Sequence, residues 1–370
     1  MRQIKRLFLT IIVLTFVLIG ISVNMRESNA SGLVVMKDHN GNEIKYRNSN
    51  EKVYQLAEYN YPTNQLRAVW VSAFVSDIPS YKNETLFKEA LTKTLDDIKS
   101  MGMNAIVYHL RTHNNAMYKS ELNPLAKWYS GVNFDEFDPT AWVIEECHKR
   151  GIEFHAWLNP YRVSSNGSIP YNTVGEIPAG NPALDKNNLI TVGNNIILDP
   201  GIPSNRDFIV DTCMEVIENY DVDAIHFDDY FYISGTNDDA TYAAYNPKGL
   251  NRADWRREQV NLFIEQLHDA MSEYNQKNNK AVQLGISPSG IYKNGNGSVE
   301  SGSNTAGFAH YGDYLYSDTY KWAKEGWNPD VIVVDPPRLG MELKLIHYLQ
   351  EHPAKKLIYV SCNPATLAKN

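Results

Sequence analysis

Apolar runs at 68–75, 105–110, 152–158, 224–227 and 282–286 recur along the middle of the chain, and a stretch of helical periodicity separates each from the next. Short apolar runs of this kind read as buried strands. Between the first two, Phe87, Leu91, Leu95 and Ile98 make one apolar helix face. Further on, Asp138-Pro139 supplies a cap and a first-turn proline, with Gly151 closing that helix. Ser204 is the expected cap of the next, with Phe208, Val216 and Ile217 turned inward, and 252–274 reads as a longer one. Strands separated by helices imply parallel βαβ units. With long loops after the strands, the pattern favours a TIM-type (β/α)8 barrel over a doubly wound sheet, and no Gly-rich dinucleotide or phosphate loop is present.

The 370 residues suffice for one large α/β barrel or two ordinary domains, and a hydrophobic fraction of 43% allows a sizeable core. Lys+Arg of 35 against Asp+Glu of 43 gives a net charge of −8, which argues against a broad nucleic-acid-binding face. The 23 tyrosines and 7 tryptophans supply flat amphipathic rings that stack on sugar faces while their polar tips bond hydroxyls. The three cysteines are Cys147, Cys213 and Cys362. The first two fall on core-facing helix positions and are expected as buried free thiols. No Cys/His spacing suits a metal, so neither a metal nor another cofactor is expected.

The N-terminus reads as a targeting segment. Arg2, Lys5 and Arg6 precede an apolar run from Leu7 to Val23, and Ser28-Asn29-Ala30 offers small residues for cleavage before Ser31. Residues 1–30 are therefore expected as a signal peptide, with membrane contact only through that segment if it stays uncleaved. Residues 31–65 form a polar lead in which Asn40-Gly41 marks a hairpin turn. The domain that follows is expected outside the cytoplasm.

In a barrel of this type the chemistry sits at the carboxyl ends of the strands. Those ends carry Tyr108-His109-Leu110-Arg111-Thr112-His113, His155-Ala156-Trp157-Leu158-Asn159-Pro160-Tyr161-Arg162 and His226-Phe227-Asp228-Asp229-Tyr230. Carboxylates, imidazoles, amides and aromatics on one rim suit a polyhydroxylated substrate better than a phosphate or an apolar ligand. Hydrolysis of a glycosidic bond asks for two carboxyl groups. Asp228 is the candidate nucleophile or general base. Asp229, Asp199 and Asp318 are the candidates for the partner acid, although Asp229 on a regular strand points to the opposite face from Asp228. Trp70 and Trp157 are candidate stacking platforms. His109, His113 and His226, with Arg111, Asn159, Arg162 and Tyr230, are candidates for holding sugar hydroxyls or a carboxylate.

These motifs, with Arg67-Ala68-Val69-Trp70-Val71, His148-Lys149-Arg150-Gly151 and Gly285-Ile286-Ser287-Pro288-Ser289-Gly290, resemble glycosyl-hydrolase-like family 10 over about 66–327. The resemblance implies a secreted or envelope protein with a TIM-barrel glycosidase fold. The expected partner is a glycan, with cell-wall or other envelope glycan as substrate and no nucleic acid. A non-catalytic carbohydrate-binding barrel is the competing expectation.

After Trp327 the character changes. Asp335-Pro336-Pro337-Arg338 and Ser361-Cys362-Asn363-Pro364 resemble the catalytic tail of RNA uracil-5-methyltransferases, in which the residue matching Cys362 is the nucleophile. Nothing upstream supplies a glycine-rich turn for S-adenosylmethionine, so an active methyltransferase is not expected. The expected fold is thus α/β: a barrel truncated after its fifth βα unit, with a foreign strand-helix-strand tail over 328–370. A chimeric or misjoined gene accounts for such a tail.

Overall fold

The computed structural model describes residues 33–38, 40–45, 50–56, 66–228, 230–297, 301–327, 331–334 and 356–359. The expected signal peptide, Asp229, Asp335, Arg338 and Cys362 lie outside the described residues. The chain divides into two units, one holding residues 1–63 and 363–369, the other 64–362 and 370.

In the first unit β1 (Leu33–Val35) pairs antiparallel with β2 (Tyr54–Leu56). The Asn40-Gly41 turn forms as expected. Gly41 takes a φ of 85°, and the Asp38 carboxylate accepts the amides of Asn40 and Asn42 at 2.9 Å each.

The second unit contains β3 (Ala68–Val71), β4 (Ala105–Arg111), β5 (Leu125–Ala126), β6 (Glu153–Leu158), β7 (Arg162–Ser164), β8 (Thr173–Val174), β9 (Leu189–Val192), β10 (Asn195–Leu198), β11 (Ala224–Phe227), β12 (Gln283–Ile286), β13 (Val331–Val334) and β14 (Lys356–Tyr359). Its helices are α1 (Glu84–Ser100), α2 (Pro139–Lys149), α3 (Pro203–Asn219), α4 (Asp239–Ala244), α5 (Arg252–Asn278) and α6 (Thr319–Glu325).

Seven strands form one parallel sheet in the order β14-β13-β12-β11-β6-β4-β3. The strands lie side by side in the order of the sequence, without the reversal that marks a doubly wound sheet. No pairing joins β14 to β3 among the described residues, so the sheet as described is open rather than a closed barrel. The tail adds β13 and β14 in parallel register, Gly285 facing Val331 and Val331 facing Lys356. The two strands expected in the tail thus extend the sheet past the fifth βα unit.

Period-2 alternation sorts each strand's residues onto two faces. Val71, Ile106, Tyr108, Leu110, Phe154, Ala156, Leu158, Ile225, Phe227, Leu284 and Ile286 join the large apolar core that the helices cover. α1 contributes Phe87, Leu91, Leu95 and Ile98 to it, as its periodicity predicts, and Asn83 caps it by accepting from the Leu86 amide at 2.9 Å. α2 begins as expected: Asp138 accepts the Thr140 and Ala141 amides at 2.9 and 3.0 Å, and Gly151 follows at φ 64°. Cys147 and Cys213 are buried free thiols, the Cys213 thiol pushed up to about 12 by burial.

α3 departs from expectation. Its cap is Ile202, not Ser204, because Pro203 with its fixed φ takes the first helical position. Asn205 then bonds back to the carbonyls of Asn188 and Asp199 at 2.9 and 3.0 Å. The long excursion after β6 folds on itself, with β7-β10-β9 as a small antiparallel sheet and β8 pairing β5.

Candidate functional site

The face of the sheet turned away from the helices carries polar and aromatic side chains among small apolar ones such as Ala105, Val107 and Ala224. Alternation puts Trp70 of β3, His109 of β4, His155 and Trp157 of β6, His226 of β11, and Gln283 and Gly285 of β12 on it, and continuing past Phe227 puts Asp228 beside them. The rings form a chain of contacts. His109 stacks on Trp157 with centroids 3.7 Å apart and planes 11° from parallel. Trp157 meets Trp70 edge-on at 4.7 Å, and Trp70 meets His226 edge-on at 5.1 Å. His226 lies 6.3 Å from His155.

Two details fix the imidazoles. The Asn159 amide donates to His109 Nε2 at 3.0 Å, which leaves the ring's proton on Nδ1. His226 Nε2 pairs with the Ser287 hydroxyl at 2.6 Å. A Cβ on Gly285 would stand 2.5 Å from His226 Nδ1, so glycine makes the space the ring fills. Burial, the largest cause, holds both imidazoles well below their ordinary range; the Arg162 charge adds to this at His109 and His155 at His226. Both rings are therefore neutral at pH 7. Among the described residues, His109 Nδ1, His155 Nδ1, His226 Nδ1, Trp157 Nε1 and Asn159 Oδ1 are buried without a protein partner. Native interiors rarely leave so many polar atoms unmatched in one place.

Other expected site residues occupy different settings. The ladder slips between His109 and Arg111, and Arg111 runs beneath the rim. Its guanidinium, fully buried, donates to the carbonyls of Asn159 and Pro160 and to Asn114 Oδ1. Arg111 thus clamps the loop that carries Asn159. His113, also buried, bonds Thr112 Oγ1 at 3.1 Å and Ser165 Oγ at 3.3 Å, and burial takes its pKa to about 3. Arg162 opens β7 with its guanidinium 5.0 Å over the half-exposed ring of Tyr230.

Among the acids, Asp228 is half-buried and accepts from the Tyr230 amide at 3.3 Å. Asp199 is buried and its pKa is raised, mainly by that burial; it accepts from the Gly201 amide at 2.8 Å and from the Thr241 hydroxyl, tying the end of β10 to α4. Asp318 caps α6, accepting from the Lys321 amide at 3.1 Å and the Tyr292 hydroxyl at 2.8 Å. No hydrogen bond brings Asp199 or Asp318 to Asp228 among the described residues.

Sequence reasoning missed Ser287, Gly285 and Phe74 as parts of this site. Counting alternate positions back from Ser287 would have found the first two. Phe74 lies 5.0 Å edge-on from His109, but it follows β3 in a 3-10 turn where strand alternation no longer applies. Among the described residues no group of acids, histidines and cysteines is placed to hold a metal ion. A separate cleft of about 760 Å³ is lined by Glu121, Asp211, Glu215, Glu218 and Tyr220 among others. Glu215 there is already engaged by the Ser120 hydroxyl at 2.6 Å and the Glu121 amide at 2.7 Å.

The fold and site together define an α/β protein with a polar, ring-lined site at the carboxyl ends of a parallel sheet. The chain belongs to the glycosyl hydrolase-like 10 family, whose model matches residues 65–359. The match runs beyond the 66–327 span read from motifs and takes in β13 and β14. The chain is 38% identical over 275 residues to Glycosyl hydrolase YngK of Bacillus subtilis (strain 168), covering 71% of this chain and 52% of that protein. It is 34% identical over 250 residues to Glycosyl hydrolase DigH of Escherichia coli (strain K12), covering 65% and 56%. It thus spans about half the length of these relatives. A stretch of 50 residues is 56% identical to an uncharacterized RNA methyltransferase of Bacillus cereus, covering 14% of this chain and 11% of that one. Among solved structures, the glycoside hydrolase domain of PgaB (BpsB) from Bordetella bronchiseptica matches 80% of this chain and 94% of its own at 14% identity, with a TM-score of 0.44.

Proposed function

We propose that this protein is an exported glycoside hydrolase that acts on a cell-wall or other envelope glycan, with Asp228 as nucleophile or general base. The observation that carries this reading is the half-buried Asp228 at the carboxyl end of β11, on the same sheet face as two indoles and three imidazoles. The neutral imidazoles of His109 and His226 and the indole N–H groups hold hydroxyls without competing for charge, and the indole faces stack on sugar rings. Asp199 is the better partner-acid candidate of the two described, since burial raises its carboxyl towards the protonated state that leaving-group protonation requires. We read the whole sheet as part of a TIM-type barrel.

Asp228→Asn is expected to lower glycan hydrolysis about a thousandfold while leaving glycan binding in place. Reducing-sugar release from wall material by wild type and variant tests it. Binding without hydrolysis by the wild type would instead favour a carbohydrate-binding barrel. That second reading draws on Asp199 and Asp318 both being engaged in structural bonds.

The methyltransferase-like tail belongs, in this proposal, to a chimeric or misjoined gene that truncates the barrel, and it carries no methyl transfer. Resequencing codons 320–340 decides it. A reading frame that continues into further barrel sequence makes the tail an artefact.

A further inference from the structure

We propose that His155, His226 and Gln283 hold one buried water on the sheet face turned away from the helices, and that this water orients the Ser287 hydroxyl. The water site assumes nothing about activity. Only the role it gives Ser287 towards a ligand rests on the glycan reading above.

Strand register brings the three groups together. Ala224 of β11 pairs with His155 of β6 on one side and Gln283 of β12 on the other, and His226 pairs with Gly285. Among these side chains the sheet carries only a methyl at Ala224 and a hydrogen at Gly285. Both imidazoles are fully buried. Among the described residues, His155 Nδ1, His226 Nδ1 and Gln283 Oε1 are buried without a protein partner. The two ring centroids lie 6.3 Å apart, a gap that two hydrogen bonds of about 2.9 Å to one water can bridge. Buried waters typically satisfy about three such atoms.

Counting hydrogens gives the chain a direction. The Glu153 carboxylate accepts from His155 Nε2 at 3.1 Å, which leaves His155 Nδ1 to accept. Gln283 Oε1 can only accept. These two atoms take both hydrogens of the water, so its third bond must come from a hydrogen on His226 Nδ1. His226, held neutral by burial, has no second hydrogen to give. Its Nε2 therefore accepts from the Ser287 hydroxyl at 2.6 Å. Half-buried Ser287 follows the carboxyl end of β12, its amide bonded to the Phe227 carbonyl at 3.0 Å. With its hydrogen drawn inward, it offers the rim lone pairs alone. Ser287 thus selects a ligand hydroxyl or amide N–H that donates, and His155, Gln283 and His226 are positioning residues acting through it.

Long-range proton–nitrogen spectra of the full chain, labelled at histidine nitrogen, read the tautomer directly, with His226→Gln identifying the signals. The His226 hydrogen is expected on Nδ1, with a cross-peak to bound water. Gln283→Met keeps the volume and removes one acceptor, freeing a water hydrogen for His226 Nδ1. The ring's own hydrogen should then move to Nε2, a change that a packing role for Gln283 would not produce. A hydrogen on Nε2 in the parent, no water cross-peak, or an unmoved tautomer in a folded Gln283→Met overturns the assignment. The parent spectrum decides the first two points even if the variant fails to fold, which circular dichroism reports. Calorimetry with chitotetraose in an Asp228→Asn background tests the role of Ser287. Ser287→Ala and Gln283→Met should each weaken binding about tenfold. Affinity unchanged by both overturns that role. Binding of neither chitotetraose nor wall glycan by the parent overturns the glycan reading and that role with it, while the ligand-free spectra still decide the water site.

Discussion

Gly285 shows how closely a single position can be fixed by its neighbour. A Cβ there would stand 2.5 Å from His226 Nδ1, and the same ring is held from its other nitrogen by Ser287. Gly285→Ala forces either β12 or the imidazole to move. The ring can leave only by giving up the Ser287 bond and its edge contact with Trp70. The expected cost is about 1–3 kcal/mol of stability, as for other overpacked interiors. Urea denaturation of the variant measures it, and an unchanged midpoint would show that the ring shifts freely. That Trp70, Trp157, His109 and His226 share one face was legible because alternation along neighbouring parallel strands groups their side chains. Which histidine would be neutral was not legible. That depends on burial and on Asn159 reaching His109 from the following loop, and loop conformation leaves no periodic trace in sequence.

At the scale of elements, the strands and the first helices were the readable part. α1 and α2 form where periodicity, Asn83 and Asp138 place them, because a cap and an apolar stripe are both written locally. The start of α3 was misread by favouring a serine over the proline before it. The slip in the β4 ladder was invisible for another reason: a bulge is decided by what its neighbour strand offers. It sends Arg111 beneath the rim, where the sequence had expected it to meet substrate. The tail is the sharpest case at this scale. Its sequence resembles another enzyme family, yet Val331–Val334 pairs with β12 and Lys356–Tyr359 pairs with β13. A chain ending at Trp327 would leave the backbone groups of β12 unpaired along that edge. Such a chain is expected to aggregate at concentrations where the full chain stays in solution, measured by light scattering after matched purification. If the shortened chain is equally soluble and melts at the same temperature, β13 and β14 contribute nothing to the sheet.

For the molecule as a whole, the buried imidazoles set how stability responds to acid. His109, His113, His226 and His310 are all held below the ordinary histidine value of 6.5 by burial, His113 to about 3 and His310 to about 4. A group whose pKa is depressed by folding binds fewer protons folded than unfolded, so acid favours the unfolded chain. The effect is absent above pH 6.5, where both states are neutral. As pH falls below 6.5 the unfolded histidines charge first, and each can remove up to about 1.4 kcal/mol per pH unit until the folded value is reached. For His113 and His310 that interval runs from 6.5 down to about 3 and about 4. Asp199 works in the opposite direction. Its carboxyl is raised by burial, so its protonation at low pH relieves part of the cost of folding around it. One such acid can offset no more than one imidazole's share, so the four imidazoles set the net direction. Unfolding free energies measured between pH 8 and 4.5 should therefore be level down to about 6.5 and decline below it. His113→Gln, which can keep bonds to Thr112 and Ser165 without titrating, should make the decline shallower by about one group's share. A stability that stays level from pH 7 to 5 would mean these rings gain protons in the folded protein as readily as in the unfolded one. The inner face of the sheet would then be wetter than its packing implies.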